Sequence, residues 1–349
     1  MKTPPFSISG KAKSRLYNKA LRSLNDHHYR NCSEYKSILD ALQYNQENNN
    51  SYDQFPFLPV RLFKDYDLFS IKEKKIYKIM NSSGTSGTKV SKIVLDKENA
   101  NLQTKVLTKI VSTVLGNKRL PMLVIDSKSI IKDRKLFSAR SAGIIGFSIF
   151  GRDVTYALDD NFELDINTLR DFATRHKNEK IFTFGFTSII WKNFIRYIID
   201  NEIKLPQLNG TMIHGGGWKK LSDLRVDNLL FKKSVFDVSG IDNVINYYGM
   251  VEQTGSIFLE CSKGYLHSSI FSDIIIRRND FSISDVNEIG LVQLISLLPT
   301  SYPGHNIISE DLGEIIGIDD CKCGNLGKYF LIHGRAERAE IRGCSDTVE

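Results

Sequence analysis

The chain has 349 residues, a length that favours about two domains and a sizeable core, and its 41% apolar and 25% charged residues are an ordinary globular balance. No run of about 18 apolar residues is present, which excludes a membrane-spanning helix, and the N-terminal MKTPPFSISGKAKSR lacks the apolar stretch of a secretory signal, so the cytoplasm is the expected compartment. The net charge of +7 is not concentrated in a block of like charges; it reads as a solvated surface, and nucleic acid is not an expected partner.

Residues 11–45 predict helix, because Leu16, Ala20, Leu21 and Leu24, then Tyr35, Ile38, Leu39 and Leu42, recur at helical spacing. QENNNSYDQ is a polar break, and the following FPFLPVRLF is interrupted by prolines and predicts an extended segment laid across the core. Ile76 to Met80 predicts a short strand running into a Ser/Gly/Thr loop. After Asp96, a suitable N-cap, Leu102, Val106, Ile110 and Val114 recur every four residues, as in an amphipathic helix. Met122–Ile125 and Ile181–Phe186 predict strands, the second followed by a helix over 188–201. Met212–His214 leads to a triple-glycine turn and Val244–Tyr248 to another turn. Strands alternating with helices imply an α/β sheet whose ligands gather at the loops beyond the strand ends.

From about residue 256 short strands follow one another without clear helices: Asp273–Arg277, Leu291–Leu298, Gly313–Ile318 and Tyr329–Ile332. The chain therefore divides into a helical and extended segment (1–75), an α/β core (76–255), a β-rich subdomain (256–335) and a tail (336–349). Five cysteines, Cys32, Cys261, Cys321, Cys323 and Cys344, are an odd number in a long chain and read as reduced thiols. Cys321-Lys-Cys323-Gly is half of a metal knuckle, but without a clear second pair it is weak ground for zinc. His27, His28 and His305 read as structural. Phe184, Phe186 and Trp191 suit either an acyl pocket or the core.

Four loops carry the chemistry. Ser82-Ser83-Gly84-Thr85-Ser86-Gly87-Thr88-Lys89 directly follows a strand; its glycines permit close backbone approach, and its hydroxyls and amides donate to phosphate oxygens. It is not a Walker A loop, and by composition alone a plain flexible turn is the commoner meaning. His214-Gly-Gly-Gly-Trp-Lys-Lys could lay bare backbone against a planar ligand. Tyr247-Tyr-Gly-Met-Val-Glu-Gln-Thr-Gly places an aromatic and a carboxylate four residues apart around a glycine. Glu310-Asp-Leu-Gly-Glu is followed about twenty residues on by Gly334-Arg335.

In this order and at these spacings the four segments resemble the AMP-forming adenylating superfamily of acyl-CoA ligases, luciferases and peptide-synthetase adenylation domains. They are more similar still to the LuxE-type acyl-protein synthetases, the acyl-activating subunits of bacterial fatty-acid reductases. KSRLYNKALRSLNDHHYRNCSEYKSIL and FPFLPVRLFK look like the same subfamily, so the resemblance covers nearly the whole chain. It implies an α/β fold, the large N-terminal domain of the adenylate-forming enzymes with a β-rich subdomain, and ATP and Mg²⁺ as cofactors. It also implies that Ser83, Gly84, Thr85, Ser86, Gly87 and Thr88 hold the ATP phosphates, with Lys89 or Lys92 near them. Gly215, Gly216 and Gly217 would line the adenine and Tyr248 would stack on it. Glu252 would bind Mg²⁺, a hard cation that takes oxygen ligands. Asp311 would accept from both ribose hydroxyls, and Arg335 would lie at the hinge end close to the ribose. Two departures bear on the phosphate contacts more than on the reaction class: Val251 stands where the superfamily usually has Thr, and Lys89-Val90 follows Thr88 in place of Pro-Lys.

Superfamily members usually continue past the hinge arginine into a mobile lid with a catalytic Lys. This sequence ends at Glu349, so the usual C-terminal lid domain is expected to be lacking. LuxE-type synthetases also end soon after the hinge and are acylated on a cysteine near the C-terminus, which the resemblance places at Cys344. A thiolate attacks an acyl-phosphate anhydride readily, Arg335, Arg338 and Arg342 would favour the thiolate if close, and tethering raises its effective concentration. The expected activity is activation of a carboxylic acid, a fatty acid first among them, followed by acyl transfer to a thiol, with a reductase or acyl-carrier protein as an open partner. Transfer to CoA, a carrier protein or a sugar amine, or a non-catalytic nucleotide-binding homologue, stays open.

Overall fold

The computed structural model describes residues 3–45, 51–82, 90–131, 139–218 and 224–336. These residues form two compact units, one from 3–45, 51–82, 90–110 and 249–336, the other from 111–131, 139–218 and 224–248. In chain order the strands are β1 Leu58–Pro59, β2 Lys78–Asn81, β3 Lys92–Leu95, β4 Leu120–Ser127, β5 Gly151–Leu158, β6 Ile181–Phe186, β7 Gly210–Gly215 and β8 Asn243–Tyr248. They continue as β9 Phe258–Glu260, β10 Leu266–His267, β11 Ser272–Arg277, β12 Gly290–Ser296, β13 Asn306–Ile318 and β14 Lys328–Arg335.

The second unit carries the α/β alternation. Its strands lie in the order β8-β7-β6-β4-β5 and every pairing is parallel. Helices Ala139–Ser148 and Ile166–Arg175, a helical run from Thr187 to Asp200, and helix Asn228–Ser239 separate successive strands. β6, IFTFGF, is buried along its whole length, which is the burial of a strand covered on both faces. Two of the helices start on aspartate caps: Asp165 accepts from the Thr168 amide and Asp227 from the Leu230 amide. β5 and β6 flank β4 on opposite sides, so the chain's winding reverses there, and in open α/β sheets ligands bind beyond the carboxyl ends of strands at such a switch point. Here those ends are Ser127, Phe186, Gly215 and Tyr248.

The first unit is the β-rich one. β11-β12-β13-β14-β10-β9 are neighbours in that order with antiparallel pairing, and β1 pairs parallel with the start of β13, Leu58 opposite Ile307, before β14 takes its place. β2 and β3 form a separate antiparallel hairpin. Helix Gly10–Asn31 buries Lys13, Tyr17, Leu21, Asn25 and His28, one stripe at helical spacing, and Tyr17 and Leu21 meet Tyr52, Phe55, Ile275 and Ile295. Helix Lys97–Leu115 begins as expected, with the Asp96 carboxylate accepting from the Asn99 amide at 2.8 Å.

Three expectations need correction. FPFLPVRLF is extended only as far as the two residues of β1, and its Leu62-Phe63 already enters a helical turn, Leu62–Asp65. The strand expected at Ile76–Met80 is present at Lys78–Asn81, but it belongs to the β2–β3 hairpin and not to the strand–helix alternation, which starts at β4. The fully helical expectation for 11–45 holds for Gly10–Asn31 and Ser33–Ala41, broken at Cys32, whose backbone is extended.

Candidate functional site

In the second unit, β7 ends in the glycine turn that the motif requires. A Cβ at Gly215 would fall 2.6 Å from the Tyr247 carbonyl oxygen, and one at Gly216, whose φ is +84°, would fall 2.8 Å from the Phe186 ring. Past them Gly217, at φ +67°, has nothing within 4 Å of its Cβ position, so the backbone is bare and open on that side. The turn is pinned by Thr187, whose hydroxyl donates to the Gly215 carbonyl at 3.0 Å and faces His214 Nδ1 at 2.9 Å. A hydroxyl already donating must accept from Nδ1–H, which fixes the His214 tautomer. Burial, and then the Lys232 charge, push His214 down to about 3. Phe231 lies 4.4 Å from the His214 ring, and Trp191, Trp218 and Phe231 contact one another behind the turn. Tyr248, half-buried, closes β8. Phe184 and Phe186 are fully buried, with Phe184 stacked on Phe147 at 4.3 Å, so they belong to the core.

The first unit gathers the charged candidates. Asp311 and Arg335 are direct cross-strand neighbours in β13 and β14, with Arg335 Nε 3.7 Å from Asp311 Oδ1 and its NH1 3.7 Å from Glu310. Glu252 sits in the short turn Val251–Gln253 and is only 4% exposed. That turn is anchored from several sides: Tyr302 donates to the Glu252 carbonyl, and Gln253 Nε2 donates to the carbonyls of Leu294 and Gly304. Burial pushes the Glu252 carboxyl up, against the Ser91 hydroxyl and the charges of Lys64 and Arg335, which do not reverse it. The charge of Arg335 is the smallest of these influences on Glu252, and the same guanidinium pairs with Asp311.

Lys92 is half-exposed on β3, paired with Asp67 at 3.4 Å and set over the Phe69 ring. The phosphate-loop residues Ser83, Gly84, Thr85, Ser86, Gly87 and Thr88, with Lys89 and the tail cysteine Cys344, lie outside the described residues. The loop's flanks are described: the Ser82 amide donates to the Ser91 carbonyl, and the Ser91 amide donates to the Ser82 hydroxyl at 2.8 Å, which extends the β2–β3 pairing to those two residues. Sequence reasoning saw only half of one constellation, the Cys321/Cys323 pair. Cys261 and His267 stand with Cys321 and Cys323, their ligand atoms all within 4.8 Å of one another. The available signal was a repeated C-x-x-G, in Cys261-Ser-Lys-Gly264 and Cys321-Lys-Cys-Gly324.

The described chain superposes on the large domain of adenylate-forming enzymes. It is similar to 2-hydroxyisobutyryl-CoA ligase in an open conformation with 2-HIB-AMP and CoA, at 12% identity and a TM-score of 0.71, over 95% of this chain and 71% of that one. The anthranilate CoA ligase AuaEII with anthranoyl-AMP is similar at 13% identity and a TM-score of 0.51, over 74% and 47% of the two chains. The luciferase-like enzyme of the nonluminescent mealworm Zophobas morio is similar at 13% identity and a TM-score of 0.50, over 77% and 60%. By fold this is a protein of the adenylate-forming class. The profile of the acyl-protein synthetase family LuxE matches residues 1–349, and the chain belongs to that family of adenylating enzymes. No curated protein matches the sequence. No helix among the described residues is long and apolar enough to cross a membrane.

Proposed function

We propose that the protein, acting in the cytoplasm, uses ATP to activate a carboxylic acid, a fatty acid first among them, and passes the acyl group to a thiol, its own Cys344 first. In the first step a carboxylate oxygen attacks the α-phosphorus, the bond to the bridging oxygen breaks, and pyrophosphate leaves. In the second the thiolate sulfur attacks the acyl carbon, a thioester forms, and AMP departs with the electron pair of the broken acyl–oxygen bond. Gly215, Gly216 and Gly217 would bear the adenine, Tyr248 would stack on it, and Asp311 would accept from the ribose hydroxyls with Arg335 holding its carboxylate in place. Ser83 to Thr88 would donate to the phosphates, with Lys89 or Lys92 supplying positive charge.

The residues fit a divalent cation. Glu252 is a hard oxygen donor whose burial is not offset by its cationic neighbours, the setting in which a bound cation is favoured. Mg²⁺ bound there would neutralise phosphate charge. The observation that carries the reading is the family match over residues 1–349, supported by the convergence of Glu252, Asp311 and Arg335 in one unit. A reductase that consumes the thioester is the partner it implies.

The test is pyrophosphate exchange into ATP with Mg²⁺ and a panel of short, long and aromatic acids. Exchange that needs one acid class establishes adenylation and names the substrate. Labelled acyl group retained on the denatured protein, and lost in Cys344→Ser, assigns the acceptor; label found only on added CoA, carrier protein or an amine assigns another. Val251, buried where a hydroxyl is usual, favours one further reading, a homologue that binds nucleotide without turnover. ATP binding with no exchange against any acid would support it.

A further inference from the structure

The two hairpin turns of the first unit that carry cysteines are built alike. β9 runs into Cys261-Ser-Lys-Gly264, where the Gly264 amide donates to the Cys261 carbonyl at 2.9 Å and the Lys263 amide points at the Cys261 sulfur at 3.4 Å. The turn after β13 is Cys321-Lys-Cys-Gly324; the Gly324 amide donates to the Cys321 carbonyl at 3.0 Å, and the Asn325 amide points at the Cys323 sulfur at 3.4 Å. Both glycines adopt positive φ, +82° and +87°, so the chain folds back and aims backbone N–H groups at sulfur. Donors aimed at sulfur stabilise thiolates.

β10 joins the two turns. It pairs with β9 on one side and β14 on the other, with His267 opposite Leu259 and Tyr329. This places His267 between the two cysteine turns, fully buried and stacked on Tyr329. His267 Nε2 lies 3.4 Å from Cys323 Sγ, and Cys261 Sγ lies 4.0 Å from Cys321 Sγ. The other ring nitrogen, Nδ1, is buried with no hydrogen-bond partner among the described residues. Tetrahedral zinc with Zn–S bonds of about 2.3 Å and a Zn–N bond of about 2.0 Å sets sulfur atoms roughly 3.8 Å apart and sulfur and nitrogen roughly 3.5 Å apart. The Cys323–His267 and Cys261–Cys321 separations of 3.4 and 4.0 Å are close to these, and all four ligand atoms lie within 4.8 Å of one another.

We propose that Cys261, His267, Cys321 and Cys323 form a structural Cys₃His zinc site that staples the β9–β10 turn to the β13–β14 turn. Zn²⁺ binds the three sulfurs as thiolates, their protons pass to solvent, and no redox change occurs. All four ligand positions come from the protein, so the site is closed to substrate. It lies at the turn end of the β13–β14 hairpin. Arg335 is seven residues along β14 from Lys328, roughly 20 Å at strand rise, so the metal holds the hairpin that carries Asp311 and Arg335 without touching either. The inference does not depend on the adenylation reading.

Full-length protein purified under reducing conditions, without chelator or added metal, should hold about one zinc per chain by elemental analysis, falling below about a tenth in Cys321→Ser/Cys323→Ser. Cobalt added to reduced, chelator-stripped wild-type protein should give the visible ligand-field bands and ultraviolet charge-transfer absorption of tetrahedral thiolate coordination. The cobalt measurement needs no variant, so it decides the matter even if the double variant fails to fold. Metal-free protein that also gives no cobalt bands overturns the proposal. So does a thiol titration two short of the total with a Cys261–Cys321 disulfide found by mass spectrometry, because a bridged pair cannot ligate as thiolates.

Discussion

Within the first unit two carboxylates, equally hidden from water, sit in opposite electrostatic settings. Asp273 meets Lys13 Nζ at 3.1 Å, Lys328 Nζ at 3.1 Å and the Tyr52 hydroxyl at 2.6 Å. Burial alone would push its carboxyl up, but the two lysines and the tyrosine more than reverse that, and it lies well below the ordinary range. Burial pushes Lys13 down to about 8 in spite of the attraction of Asp273, and the neighbouring Lys328 charge adds to the fall. Glu252 has no such surplus, and its carboxyl is pushed up. In the second unit Asp126 accepts from Nε and Nη2 of Arg140 and is still raised by burial. A compensated buried carboxylate holds a fold together; an under-compensated one awaits a cation or a proton, which is why perturbed groups concentrate at functional sites. The contrast assigns Asp273 to the fold, and it supports the proposed metal-binding role of Glu252.

The largest expected effect would separate these two roles directly. Glu252→Gln should lower pyrophosphate exchange by about 100-fold or more, roughly 3 kcal/mol of transition-state stabilisation. Its resistance to urea should be unchanged or raised, because an ionised carboxylate that burial disfavours has been removed. Retained exchange would remove Glu252 from the metal role. Asp273→Asn should do the reverse: about 3–5 kcal/mol of stability lost, because Lys13 and Lys328 are left as unpaired buried charges, with exchange per folded molecule retained. Urea unfolding checks it, and a loss under about 1 kcal/mol would mean that water reaches the lysines.

A smaller effect is set by pH, and it appears in both units. Burial pushes His305, in the first unit, and His214, in the second, down to about 3. His305 is stacked on His28 at 4.9 Å, contacts Tyr35, and bonds to Asn25, while the charge of His27 adds to its shift. Because the folded-state values lie below the unfolded value of about 6.5, the unfolded chain binds the extra protons. The stability each histidine contributes is thus fully present above about pH 6.5 and is lost progressively as pH falls toward 3. Between pH 6.5 and 5 each should cost about 2 kcal/mol. Burial also pushes His28 well down and His267 down to about 4, so His305→Gln should lower the slope of unfolding free energy against pH in that window by about a quarter. An unchanged slope would show that the ring is already protonated in the fold.

Much of this was legible in the sequence, and what was not has physical reasons. The glycine turn after β7 was visible because Gly215 and Gly216 occupy positions that reject a side chain, and such positions leave glycine in the sequence. Asp311 and Arg335 were visible as motif residues, but their cross-strand pairing depends on a register that shifts between Leu312 and Gly313, which no local pattern encodes. β5, GRDVTYAL, escaped notice because it lies at the edge of its sheet and is exposed along its first half, so it has no apolar run. In helix Gly10–Asn31 three of the five buried residues are polar: Lys13, Asn25 and His28 are buried because Asp273, Tyr35 and Ser70, all outside the helix, bond to them. The metal quartet was half legible. Cys321 and Cys323 are neighbours in sequence, whereas Cys261 and His267 reach them only because β10 pairs with β14.

The smallest expected effect concerns Lys92, which sequence reasoning set beside Lys89 as a catalytic cation. In the fold its ammonium pairs with Asp67 at 3.4 Å, both side chains well exposed, and it covers the Phe69 ring. An exposed pair of this kind contributes about 0–1 kcal/mol, so Lys92→Gln should shift the urea midpoint little. Its exchange rate is the sharper reading. Asp67 already engages the ammonium, so charge donated to a phosphate would have to come at the expense of that pair, and Asp67→Asn, which frees the lysine, should then raise exchange while Lys92→Gln lowers it. Unchanged exchange in both variants would confine Lys92 to the surface pair and leave Lys89 as the cation to test at the loop.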